Sequence, residues 1–176
     1  MTILIILLMI IYDPREEEPM TQLSPGSKAP NFELLDQQGN AVQLSDFRGR
    51  KLLVYFYPKA DTPGCTAQAC SVRDAQPDLA ESGIAAVGIS PDPPGKQKKF
   101  SDKHGLGFPL LSDIDHAVAD AYGVWGEKSM YGKKYEGIIR SAFLIDEQGK
   151  IIRAWYKVSP KDTVPKALEA LESQAK

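Results

Sequence analysis

The sequence predicts an α/β sandwich around a mixed central β-sheet. Two short apolar runs, Lys51 to Tyr57 (KLLVYFY) and Ile84 to Ser90 (IAAVGIS), have the length and composition of buried strands. Segments of helical period separate and follow them, which is the alternation of an α/β fold. The chain has 176 residues, of which 43% are hydrophobic and 25% charged, so one core can bury about 70% of the unfolded surface. With only two cysteines, no disulfide framework holds it.

Residues 3–11 (ILIILLMII) form an apolar run too short to span a bilayer, which needs roughly 20 residues. No Lys or Arg precedes this run and no small-x-small site follows it, so it also makes a poor secretory signal. It remains open to three readings: a strand or partner-binding tail, a poor leader, or an upstream extension with the functional protein starting at Met20. We adopt the extension, giving residues 1–20 as an apolar and acidic segment and 21–176 as one domain without linker or repeat.

Along that domain, Phe32 and Leu34, then Val42 and Leu44, alternate with polar residues about Gln37-Gln38-Gly39-Asn40, an N-terminal hairpin. The strand at Lys51 to Tyr57 leads into Cys65 to Gly83, which reads as helix with Pro77 kinking it or ending its first half. After the strand at Ile84 to Ser90 come a helix over Pro93 to His104, a short strand over Phe108 to Leu111 and a helix over His116 to Tyr122. Arg140 to Asp146 and Lys150 to Tyr156 flank Glu147-Gln148-Gly149 as a second hairpin. Lys161 to Ser173 closes the chain as a helix, with Val164, Leu168 and Leu171 at i, i+4 and i+7.

Charge narrows the function classes. Lys plus Arg number 21 against 23 Asp plus Glu, a net charge of -2, without the basic footprint that nucleic acid or an anionic membrane demands. Lys96, Lys98, Lys99 and Lys103 are interrupted by Gln97, Phe100, Ser101 and Asp102, the pattern of a solvated helix face.

The chemistry concentrates in Pro58 to Cys70 (PKADTPGCTAQAC), where both cysteines lie five residues apart. Cys65 falls where a buried strand has ended and a helix begins. Unpaired N–H groups and the positive end of the macrodipole favour thiolate over thiol there, making Cys65 a candidate nucleophile. A thioredoxin-type dithiol would want Cys-x-x-Cys rather than the Cys-x-x-x-x-Cys present. Zinc would need four ligands, and the two histidines, His104 and His116, are neither paired in spacing nor near the cysteines in sequence. A static structural disulfide fits poorly as well. Cα atoms five apart on a regular helix are roughly 8 to 9 Å apart, beyond the roughly 7 Å a disulfide tolerates.

The segment YFYPKADTPGCTAQAC resembles the active-site segment of peroxiredoxins, in the branch called bacterioferritin comigratory protein or peroxiredoxin Q. Pro58, Thr62 and Cys65 match the family's spacing of Pro, Thr and Cys, and Cys70 falls on that branch's second cysteine. Arg140 in RSAFLID, the opening GSKAPNFEL and GFPLLSD at Gly107 to Asp113 extend the likeness from about Ser24 to the C-terminus.

The resemblance implies a thioredoxin-like fold and a cytoplasmic thiol peroxidase without cofactor or metal. It implies that Cys65 attacks the hydroperoxide and that the sulfenic acid condenses with Cys70 to a disulfide. Arg140, the Thr62 hydroxyl and the amides of Gly64 and Cys65 would stabilise the charge on the oxygens, with Pro58 shielding the sulfur from water. Thioredoxin is the implied reductant, with glutaredoxin or a small thiol as substitutes, and the implied assembly is a monomer or weak dimer. The competing expectation is a general thiol-disulfide oxidoreductase without peroxidase specificity.

Overall fold

A computed structural model describes residues 22–175; the apolar and acidic segment at 1–20 lies outside the described residues. The two apolar runs become adjacent parallel strands at the centre of the molecule. Strands β1 (Glu33–Leu35) and β2 (Ala41–Gln43) form the N-terminal hairpin, with Leu34 opposite Val42. Strand β3 (Lys51–Phe56) leads to helices α1 (Pro63–Asp74) and α2 (Gln76–Glu81), then to β4 (Ile84–Ser90). Helix α3 (Pro94–His104), strand β5 (Leu110–Ser112) and helix α4 (Ala117–Ala121) follow. Strands β6 (Trp125–Met130), β7 (Lys133–Ile138), β8 (Ser141–Ile145) and β9 (Ile151–Trp155) precede the terminal helix α5 (Thr163–Gln174).

Among the described residues, seven strands make one mixed sheet in the order β2-β1-β5-β4-β3-β8-β9, while β6 and β7 pair only with each other. The β3–β4 and β4–β5 pairs are parallel; β8 runs antiparallel to β3 and β9 antiparallel to β8. The two-residue period of a strand divides the core. Leu53, Tyr55 and Tyr57 face a cluster with Cys65, Ala69 and Val72 of α1, Phe100 of α3 and Val164 and Ala167 of α5. Leu52, Val54 and Phe56 face the other layer, with Phe32, Phe47, Val118, Tyr122 and Phe143.

The expected elements occur with shifted bounds. The Cys65 to Gly83 segment divides at Ala75, and Pro77 lies in the first turn of α2, where its missing N–H leaves no helical bond unmade. Strand β5 starts at Leu110 rather than Phe108, because Pro109 has no N–H for a ladder. Pro93 is the N-cap of α3, and Pro160–Asp162 form a 3-10 turn ahead of α5, so both helices begin later than expected. All four lysines of α3 are exposed while Gln97, Phe100 and Ser101 are buried, which makes the basic stretch a solvated face.

The β6–β7 hairpin has no counterpart in the sequence reading. Its two turn residues, Tyr131 and Gly132, have φ of 50° and 76°, as a primed two-residue turn requires. A tyrosine in place of the usual Asn or Asp hides that turn, and the flanking residues carry charge on both faces. Among the described residues no helix is long and apolar enough to cross a membrane.

Candidate active site

Between β3 and α1 the chain turns at Asp61, a left-handed residue with φ of 62°, and Thr62 enters α1 as its extended N-cap. The Thr62 hydroxyl donates to the Lys59 carbonyl at 2.9 Å and does not cap the helix. Pro63 has no N–H, and the first helical bond is Thr66 N–H to the Thr62 carbonyl at 2.8 Å. The amides of Gly64 and Cys65 therefore lie at the positive end of α1 ahead of its hydrogen-bond ladder, an arrangement suited to an anion.

Cys65 is buried, at 1% exposure, at the foot of this helix. Nη2 of Arg140, the residue just before β8, lies 3.4 Å from Cys65 Sγ. Its Nη1 donates to Gln68 Oε1 at 2.6 Å, and Gln68 Nε2 donates to Thr163 Oγ1 at 2.8 Å. The Thr163 hydroxyl in turn donates to the Ser159 carbonyl at 3.2 Å. Gln68 and Thr163 are both fully buried, so this chain fixes the guanidinium from behind. Gly64 makes the close approach possible, because a Cβ there would lie 3.2 Å from Arg140 Nη2.

A cavity of about 890 Å³ opens over the sulfur. Pro58, Thr62, Cys65 and Arg140 line it on one side, with Trp125, Met130, Tyr135 and Ile138 of the β6–β7 hairpin opposite. Lys128 also borders it, donating to the Ile138 carbonyl at 2.8 Å. Burial, and then the Arg140 charge, push the Lys128 ammonium below the usual lysine range, with Cys65 acting in the opposite sense.

The loop after β3 is anchored beneath by a buried network. Asp92 accepts from the Ala60 amide at 2.7 Å and from Ser90 Oγ at 2.8 Å. Gln97 Nε2 donates to Ser90 Oγ at 2.8 Å, and the Tyr57 hydroxyl donates to Gln97 Oε1. Cys70 is half-buried on the same helix as Cys65, and both thiols are free.

Pro58, Thr62, Cys65 and Arg140 thus line one cavity, although Arg140 comes from a distant part of the sequence, and Gly64 lies against Arg140. The sequence reading missed Gln68, Thr163 and the hairpin wall. Gln68 had a faint signal, as a polar residue three positions after Cys65 and therefore on its face of the helix.

The AhpC/TSA family pattern matches residues 25–154. The chain belongs to the AhpC/TSA family. It is 54% identical over 132 residues to peroxiredoxin Bcp of Escherichia coli, covering 75% of this chain and 85% of that one. With peroxiredoxin Bcp of Bacillus subtilis it shares 47% identity over 150 residues, or 85% of this chain and 96% of the relative. Among solved structures it resembles the Xanthomonas campestris bacterioferritin comigratory protein, whose structure is described in connection with alkyl peroxide reduction. That match has a TM-score of 0.78 at 35% identity and covers 89% of this chain and 99% of the other. Among the family's members, this is therefore a peroxiredoxin of the Bcp and Q kind, a thiol peroxidase. The peroxiredoxin's seven-strand sheet and flanking helices are the thioredoxin-like fold those relatives share.

Proposed function

We propose that this peroxiredoxin reduces hydrogen peroxide and organic hydroperoxides through Cys65, with Cys70 as the resolving thiol. The observation that carries the reading is the Arg140 guanidinium at 3.4 Å from Cys65 Sγ, beneath a cavity that leads to the sulfur. The Cys65 thiolate attacks one peroxide oxygen, the O–O bond breaks, and the S–O bond forms. The departing oxygen leaves as water or alcohol once it takes a proton. Arg140 and the helix-start amides of Gly64 and Cys65 face the developing negative charge, and the Thr62 hydroxyl borders the same space.

The sulfenic acid on Cys65 then condenses with the Cys70 thiol, forming the S–S bond and releasing water. Both residues are on α1, and their Cα atoms would be roughly 8 to 9 Å apart on a regular helix, so condensation requires the first turns of α1 to unwind. A dithiol reductant of the thioredoxin type returns the disulfide to two thiols. The largely apolar hairpin wall suits organic hydroperoxides as well as hydrogen peroxide, and the alkyl peroxide reduction described for the Xanthomonas campestris relative supports that range.

The test uses two variants and several donors. Cys65→Ser is expected to abolish peroxide consumption, while Cys70→Ser retains one rapid oxidation that leaves a sulfenic acid trappable with dimedone. Equal inertness of the two variants towards peroxide would overturn these roles. A coupled assay comparing thioredoxin, glutaredoxin and a small dithiol identifies the reductant. Efficient reduction of disulfides with no peroxide turnover would instead favour a general thiol-disulfide oxidoreductase.

A further inference from the structure

The segment that has to open between Cys65 and Cys70 is held at both of its borders by one turn of a different helix. On the N-terminal side, Asp61 accepts from Lys103 Nζ at 3.0 and 3.2 Å, and His104 Nε2 lies 3.2 Å from Asp61 Oδ1. On the C-terminal side, Arg73 Nη1 donates to the His104 carbonyl at 2.7 Å. Lys103 and His104 are the last residues of α3, and both cysteines lie between the two points they hold.

We propose that the last turn of α3 is a clasp whose hold on Asp61 and Arg73 sets how readily α1 opens for Cys65–Cys70 disulfide formation. The proposal rests on the intramolecular disulfide argued above. Lys103, His104 and Asp61 act as positioning residues.

The two ends of the loop differ in character. Ala60 is tied to Asp92 within a buried network, so the chain up to Ala60 is a fixed point. One residue later, the Asp61 to Lys103 pair is exposed, with side-chain accessibilities of 46% and 61%. An exposed pair of this kind breaks at little cost and re-forms readily. Asp61 is already left-handed, a conformation that aspartate tolerates, which makes it a natural hinge between the fixed part and the part that opens.

The clasp itself is rigid. The α3 helix ends at Gly105, left-handed at φ 56°, and the His104 ring packs edge-on against buried Phe100 at 5.4 Å between centroids. The Lys103 ammonium also suits the negative end of the α3 macrodipole.

The chemical step gated by this clasp is balanced within the protein and its substrate: Cys65 sulfenic acid and the Cys70 thiol yield the disulfide and water. While the clasp is closed, the sulfenic acid stays on Cys65 and is exposed to a second peroxide, which oxidises it to sulfinic acid. Releasing the clasp should therefore accelerate the disulfide and protect against the second oxidation.

The experiment follows full-length protein by rapid quench and mass spectrometry after one equivalent of hydrogen peroxide, and again in excess peroxide. Asp61→Asn retains a side chain that accepts the left-handed backbone and removes the charge; Lys103→Ala removes the partner. Both should form the disulfide about two- to fivefold faster, the range an exposed ion pair can supply, with less sulfinic acid in excess peroxide. The rate of sulfenic acid formation should stay at the parent value, and Lys103→Arg should restore the parent disulfide rate. Unchanged disulfide rates and sulfinic yields in both Asp61→Asn and Lys103→Ala would overturn the clasp. Slowed sulfenic acid formation in both would overturn it too, by reducing the contact to support of the site. A parent protein that reaches sulfenic acid but never the intramolecular disulfide would overturn the underlying reading instead, and the two failures are thereby distinguished.

Discussion

At the scale of single residues, the site depends on a guanidinium that is held from both sides. Arg140 meets Cys65 Sγ with one nitrogen and Gln68 Oε1 with the other, and Gly64 lets it lie against the helix. A lysine offers a point charge but not the planar fork, so Arg140→Lys should slow sulfenic acid formation on the order of a hundredfold, the loss of about 3 kcal/mol of preorganised stabilisation. Stopped-flow measurement of the peroxide rate constant checks this; an unchanged constant removes Arg140 from the site. Cys65 and Cys70 stood out as candidates because the two cysteines lie five apart in one short segment, whereas Pro58 and Thr62 stood out through resemblance. Arg140, too, was a candidate through resemblance alone. Gln68 and Thr163 were not legible, since a buried glutamine bonded to a threonine on a distant helix leaves no periodic trace in sequence.

At the scale of elements, α1 and the β6–β7 hairpin bear the proposed function. Oxidation should cost α1 the i to i-4 bonds of the Thr66 to Ala69 region, so hydrogen exchange on peptides covering residues 64–76 should be faster in the disulfide form. Equal protection in reduced and oxidised protein would sink the unwinding step. The hairpin supplies apolar wall rather than chemistry: Met130 and Tyr135 border the cavity yet are 56% and 40% exposed. The double variant Met130→Ser, Tyr135→Ser should lose about tenfold in kcat/KM for a bulky organic hydroperoxide, mainly through KM, and little for hydrogen peroxide. Comparable losses on both substrates would refute that division. The strands β3 and β4 were legible because burial on both faces demands unbroken apolar runs. The hairpin was not, because its few apolar residues at the cavity are scattered among charged ones, which leaves neither that run nor a clean alternation.

At the scale of the whole molecule, the central sheet depends on a tight crossing of aromatic rings over β4. A Cβ on Gly88 would lie 2.9 Å from Tyr55 Cζ and Oη and 3.0 Å from Tyr57 Cε1, and both rings are fully buried. Gly88→Ala should therefore destabilise the protein by about 1 to 3 kcal/mol, the usual cost of overpacking a core. Denaturant titration of the reduced protein reads this directly, and a stability equal to the parent's would show that the rings move aside freely. The α/β sandwich and the position of its core were legible from periodicity alone. The order of strands was not, because β8 joins β3 from the far end of the chain.

The β6–β7 ribbon shares no ladder with the seven-strand sheet. It can therefore be lengthened, shortened or repainted without disturbing the register of any strand beneath the sulfur. In the proposed mechanism, reactivity and taste are written in separate stretches of this chain: the segment from 58 to 70 with Arg140 would break the peroxide bond, and the stretch from 125 to 138, which lines the other side of the cavity, would meet whatever carries it. A lineage, or an engineer, could revise the guest list while leaving the chemistry untouched.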